Sequence, residues 1–262
     1  MATTTAAILN RALAHLGQPG TVTALSSDVT TAGKAGRTFY DPARIETLKA
    51  NDWACARKQA TLTLVETYAV TETTEWLHRY RLPEDCLMPR RIVWGVRNPG
   101  PDQQYPFRLR ADTTSTEWAI GTTYATGDYA RVTTSGAVVW YRALRETTGD
   151  APASSASDWV AIAGGPPLLL ETDREDAVLE YTYDLQDVTQ FAQDFEDALC
   201  ALLAFYIAPI ITVNGSAMDL QQRAYGAYTV LVQQAMSNDW NAKQRDVPPR
   251  STYEGVRSLP RY

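Results

Sequence analysis

The sequence predicts an α+β protein. An antiparallel bundle of N- and C-terminal helices is joined to a central antiparallel β-domain carrying a small inserted β-module, and an extended C-terminal arm follows. Three observations predict it. Apolar residues recur at helical spacing near both ends, at Ile8, Leu9, Ala12, Leu13 and Leu16 and again at Phe191, Phe195, Leu199 and Leu202. Between about residues 60 and 183 the texture changes to alternating, β-branched and aromatic runs punctuated by proline and glycine. From residue 238 onward the chain has little apolar periodicity and carries Pro248, Pro249 and Pro260.

In chain order, the first helix spans residues 5–17, with Gly17 as its C-terminal stop and Pro19 beyond. Asp28 or Thr30 caps a second helix over about 29–51, whose inner face uses Ala32, Ala35, Phe39, Tyr40, Ile45 and Leu48. Pro42 inside it predicts a kink or a break. The segments "ATLTLVE", "RIVWGV", "PFRLRA", "YARVTT", "AVVWYRA" and "AVLEYTY" read as strands. Helix returns at about 188, capped by Asp187 or Thr189, and "FAQDFEDALCALLAFYIAPII" is apolar around most of its cylinder. Asn214-Gly215 then turns the chain into a last helix with Met218, Leu220, Ala224, Tyr228, Leu231 and Met236 available for packing. The resulting domains are 1–58 (N-terminal helices), 59–113 with 164–186 (β-domain), 114–163 (inserted module), 187–237 (C-terminal helices) and 238–262 (arm).

Composition excludes several functions. The net charge of -6 argues against nucleic-acid wrapping as the main task. The longest apolar run, "ALCALLAFYIAPIITV", is interrupted by Pro209 and fits a buried helix better than a membrane span. The N-terminus has neither the basic region nor the cleavage pattern of a secretory signal. Cys55, Cys86 and Cys200 lie far apart, and an odd count without CxxC spacing predicts reduced thiols that fill core space. His15 and His78 are the two histidines, and neither lies in an HExxH motif or near a GxSxG elbow. No phosphate-binding glycine loop is present. Glu196 and Asp197 are neighbours on a helix, so they are expected to diverge and to be solvated. No catalytic, cofactor-binding or metal-binding residue is therefore assigned, and no enzyme activity is expected.

Three segments carry a resemblance. "ILNRALAHLGQPGTVTALSSD" with "FYDPARIETLKANDWACARKQATL", then "HRYRLPEDCLMPRRIVW", then "VLEYTYDLQDVTQFAQDFEDALCALLAFYIAPIIT" together resemble the head-to-tail adaptor proteins of tailed bacteriophages. Short-tailed phages call their members tail tubular protein A. The likeness covers roughly 5–95 and 175–262. In "YRLPEDC", Pro83 favours an extended Leu82, and Asp85 is placed to bond backbone amides in an Asx turn. Trp53, Leu62, Phe191, Phe195, Leu199 and Leu202 read as core.

The resemblance implies a structural virion protein at the head–tail junction, made in the host cytoplasm. It implies a ring homo-oligomer, a dodecamer, seated between the portal protein and the tail nozzle or tail tube and extending the DNA channel. DNA passes through that channel without specific binding, which a net negative charge suits. A C-terminal arm would engage the portal through Lys243, Arg245, Arg250, Arg257 and Arg261, with Tyr253 and Tyr262 as aromatic anchors.

Residues 114–163 are not needed by that family's β-region. Trp118, Tyr124, Gly127, Asp128, Tyr129 and Val132, then "VWYRAL" and a loop closing at Trp159, resemble the small chitin-binding-type carbohydrate module. Trp118, Trp140, Tyr141 and Trp159 are the candidate contacts for a glycan or a partner such as a tail fibre, and at least half of them are expected to be core. The alternative function this module suggests is a carbohydrate-binding or depolymerising tail component.

Overall fold

A computed structural model describes residues 4–68, 75–93, 105–112, 117–134, 136–162, 167–212 and 217–243, with side chains described as far as 238. The protein is mixed α+β, with four α-helices and antiparallel strand pairs among the described residues. It divides into two compact units. One comprises residues 1–59, 85–90 and 180–262, the other 60–84 and 91–179.

The first unit holds the four α-helices. Helix α1 (Thr5–His15) begins where the Thr4 hydroxyl accepts from Ala7 N. It ends at Gly17, whose φ of +68° lets Gly17 N and Gln18 N reach Ala14 O and Leu13 O. Helix α2 (Thr31–Ala50) is capped by Thr30 on Gly33 N, while Asp28 accepts from Thr30. It runs without a break through Pro42, contrary to one of the two outcomes that residue predicts. Ala43, Arg44, Thr47 and Leu48 are all buried just beyond the proline, and this packing outweighs the lost hydrogen bond.

A 3-10 turn (Val188–Gln190) precedes α3, and Asp187 caps that turn rather than an α-helix. Helix α3 (Gln193–Ile211) starts at Ala192, which makes no side-chain cap bond. It is the axis of the core: Phe195, Leu199, Leu202, Leu203 and Ile207 are wholly buried, and α1, α2 and α4 (Ala217–Lys243) all pack on it. Each such side chain contributes about 1.5–3 kcal/mol by leaving water. Trp53, Phe191 and Phe195 meet edge to face within this core.

Helix α4 departs from expectation at three places. Met218 and Met236 are exposed, at 80% and 46%, and Val232 and Ala235 are buried instead. The helix continues to Lys243, so residues 238–243, expected to begin an extended arm, are helical. The Asn214-Gly215 turn lies outside the described residues.

Strands β1 (Arg57–Thr61), β4 (Cys86–Val93) and β12 (Val178–Tyr183) form a three-stranded sheet in the order β1-β12-β4. Residues 85–90 and 180–186, assigned from sequence to the β-domain, belong to the helical unit.

The described residues of the second unit form β-strands and their connections. Strands β2 (Thr63–Thr67), β3 (His78–Arg81), β5 (Arg108–Ala111) and β11 (Leu168–Thr172) make an antiparallel sheet in the order β2-β3-β11-β5. The inserted segment adds β7 (Tyr129–Thr134), β8 (Ala137–Ala143) and β10 (Trp159–Ile162) in the order β10-β8-β7. A short ribbon of β6 (Thr123–Tyr124) and β9 (Thr147–Thr148) completes it.

Candidate functional site

In the four-stranded sheet, register places Glu171 of central strand β11 opposite Arg79 of β3 on one side and Arg108 of β5 on the other. Glu66 of β2 stands opposite Arg79. Cross-strand partners share a face of the sheet, so the four residues form a row of alternating charge across all four strands. The Glu171 carboxylate is 3% exposed and accepts from Arg79 Nε at 2.9 Å and from Arg108 Nη2 at 2.7 Å. Arg79 also reaches Glu66 at 3.1 Å and lies over the Tyr68 ring at 4.7 Å, and Arg108 bonds Glu75. Burial would raise the Glu171 carboxyl, but the bonds and charges of Arg108 and Arg79 outweigh it and hold the group below its ordinary value.

A cleft of about 280 Å³ opens on this row, lined by Tyr68, Glu75, Trp76, Arg79, Arg108, Arg110 and Glu171. Glu171 is held ionised, and guanidinium groups keep their protons near neutral pH. These groups present fixed charges to the cleft. Sequence reading missed it because β3 and β11 were not recognised as strands and the residues carry no local motif. Only strand register, acting over more than a hundred residues, brings them together.

The inserted module has a core of its own, made of Tyr124, Ala130, Ala143 and Trp159, with Trp118 and Tyr141 packed against it. Tyr124 and Trp159 meet edge to face at 5.1 Å, and Trp159 Nε1 donates to Asp150 O at 2.9 Å. Trp140 lies on the opposite face of the module's sheet, in line with Tyr129 and Arg142. That face meets the host sheet. Asp128 pairs with Arg81 at 3.2 Å, Arg142 pairs with Glu84 at 2.8 Å, and Arg81 lies over the Tyr129 ring. Trp140 and Trp159, candidate glycan contacts from the sequence, are 8% and 3% exposed. A sugar ring cannot stack on a buried face, and only the half-buried Trp118 and Tyr141 keep surface for a partner. With so few other apolar residues in the module, its aromatics had to become its core.

A third polar cluster lies in the helical unit. Arg44, 3% exposed, donates to Asp184 and to Leu185 O, and reaches Asp41 at 3.3 Å. Asp85 accepts from the Tyr181 hydroxyl at 2.8 Å and from Lys58 Nζ at 2.7 Å, and its carbonyl accepts from Asp184 N. These side-chain bonds tie Asp85 to partners far away in the chain. Burial raises the Asp184 carboxyl, yet hydrogen bonds from Gln186 and Arg44 leave it below its ordinary value. Nearby, Arg90 donates to Leu48 O, Lys49 O, Asn51 O and the Thr182 hydroxyl. Glu196 and Asp197, expected to diverge into solvent, both bind Arg11 of α1, and Glu196 is buried. The long forked guanidinium spans two carboxylates that leave the helix in different directions.

No protein-family model and no curated protein matches the chain. Among the described residues no group of three or more His, Cys, Asp and Glu side chains is placed to hold a metal ion. Nor is any described helix long and apolar enough to cross a membrane. His15 is exposed, and His78 Nδ1 lies 3.2 Å from the Thr67 hydroxyl. Lys243 is the last residue of α4, and Arg245, Arg250, Tyr253, Arg257, Arg261 and Tyr262 lie outside the described residues.

Proposed function

We propose that the protein is a head-to-tail adaptor of a tailed bacteriophage, a virion component that joins the portal to the tail nozzle or tube. The four helices would be the bundle of the ring body, twelve copies would surround the DNA channel, and the C-terminal arm would engage the portal. One observation carries this reading. The three adaptor-like segments share one hydrogen-bonded node through Arg44, Asp85, Tyr181 and Asp184, in which Arg44 and Asp184 lie 140 positions apart in the chain. A polar node that includes the buried Arg44 and Tyr181 constrains residue type and spacing in the segments that supply it, because a buried donor that loses its acceptor is costly. Segments bound to one another in this way support a resemblance that rests on their order and spacing. The inserted module would add a lateral contact to a neighbouring virion protein.

The test is reconstitution with the portal protein of the same phage. Mixing the two should give twelve-fold rings capping the portal, visible by negative-stain electron microscopy, and the chain should be found in purified virions by mass spectrometry. Absence from virions, or no complex at micromolar concentrations, where interfaces of standard size associate, would overturn the reading.

A further inference from the structure

The cleft over the charge row leaves donors without acceptors. Arg79 and Arg108 are engaged by Glu66, Glu171 and Glu75, but Arg110 comes no nearer to a carboxylate than 3.8 Å from Glu171, and it is 53% exposed. Trp76 lines the same cleft, and its indole Nε1 is buried with no hydrogen-bond partner. A buried N–H without an acceptor is costly, so an acceptor that reaches it is favoured over one at a surface site. We infer that the cleft is a carboxylate-binding site, in which a monoanionic carboxylate accepts from the Trp76 indole N–H and the Arg110 guanidinium.

Two features select that chemistry. The unmet groups are donors only, which calls for an acceptor-only ligand. The ionised Glu171 on the same lining repels a dianion more than a single carboxylate, which disfavours phosphate monoesters and sulfate. The volume of about 280 Å³ admits a carboxylate with a small polar body attached, such as a uronic acid or an acidic side chain of a partner. This site does not depend on the ring reading, since it uses only the β-unit.

Indole N–H signals in a ¹H–¹⁵N spectrum of the full chain report on it directly, and Trp76→Phe identifies the resonance. Titration with glucuronate should move that resonance downfield saturably, with the other indole signals in place. N-acetylglutamate amide producing the same shift would assign a partner's acidic side chain as an equal source, whereas a shift with glucuronate alone would assign a free acid sugar. Arg110→Gln should weaken binding at least tenfold, about 1.4 kcal/mol, while its unchanged remaining indole signals report a folded chain. An unmoved Trp76 signal at roughly 50 mM ligand, where even millimolar affinity saturates, overturns the inference. So does an equal response to glucose or to inorganic phosphate, or an unchanged affinity in Arg110→Gln.

Discussion

At the scale of single residues, buried charge is the feature that composition conceals. Glu171 is almost fully enclosed, yet it stays ionised because two arginines approach it along the sheet. Removing its charge in Glu171→Gln leaves Arg79 with Glu66 and Arg108 with Glu75 as their remaining carboxylate partners. The expected loss is about 3 kcal/mol, the low end for breaking a buried pair because Arg108 still reaches water. Urea unfolding followed by circular dichroism measures it. The same carboxylate makes stability depend on pH. Its folded pKa is depressed, as are those of Asp184 and Asp85, so their contribution is complete above the unfolded values near 4 and is lost as pH falls through the folded ones. Melting temperature should therefore hold steady from neutral pH to roughly pH 5 and fall steeply below about pH 4. Glu171→Gln should flatten the acid limb, and an unchanged limb would remove Glu171 as a contributor.

At the scale of elements, close approach of helices decides where small residues belong. A Cβ on Gly36 of α2 would lie 2.5 Å from Leu9 Cδ2 of α1 and 2.9 Å from Leu25 Cδ1. Glycine inside a helix costs about 0.5–1 kcal/mol relative to alanine, and the close contact offsets that cost. Gly36→Val should destabilise by about 1–3 kcal/mol through overpacking, read as a lower denaturant midpoint with an unchanged slope. Element types were largely legible in sequence where the signal is local: α1, α2, β7, β8 and β12 fall where periodicity and alternation place them. Strands β3 and β11 were not, because "HRYR" and "LLLET" lack clean alternation and are strands by virtue of their neighbours. Likewise α4 shows Met218 and Met236 to solvent, since its periodicity fits more than one face and α3 selects among them.

At the scale of the whole molecule, the helical core is built along α3, with α1, α2 and α4 packed on it. The last side chain that α4 buries among the described residues is Ala235. Ending the chain after Lys243 should therefore shift the melting temperature by less than about 2 °C, the equivalent of well under 1 kcal/mol at this size. The same truncation should abolish portal binding if Arg245, Arg250, Tyr253, Arg257, Arg261 and Tyr262 form the portal-binding arm. A truncated protein that docks as well as the intact one would instead assign portal binding to the ring body.

The sequence by itself determined the helical ends, the β-rich middle and most of the core around Trp53, Phe195, Leu199 and Leu202. These signals arise from spacing and caps that act over a few residues. Tertiary structure alone decided which charges meet. It set Glu171 between Arg79 and Arg108, joined Asp85 and Asp184 to Arg44 and Tyr181, and closed Arg11 on Glu196 and Asp197. It also turned Trp140 and Trp159 inward. The physical reason is that an ion pair or a buried ring depends on the register of strands and helices far apart in the chain. No local pattern records that register.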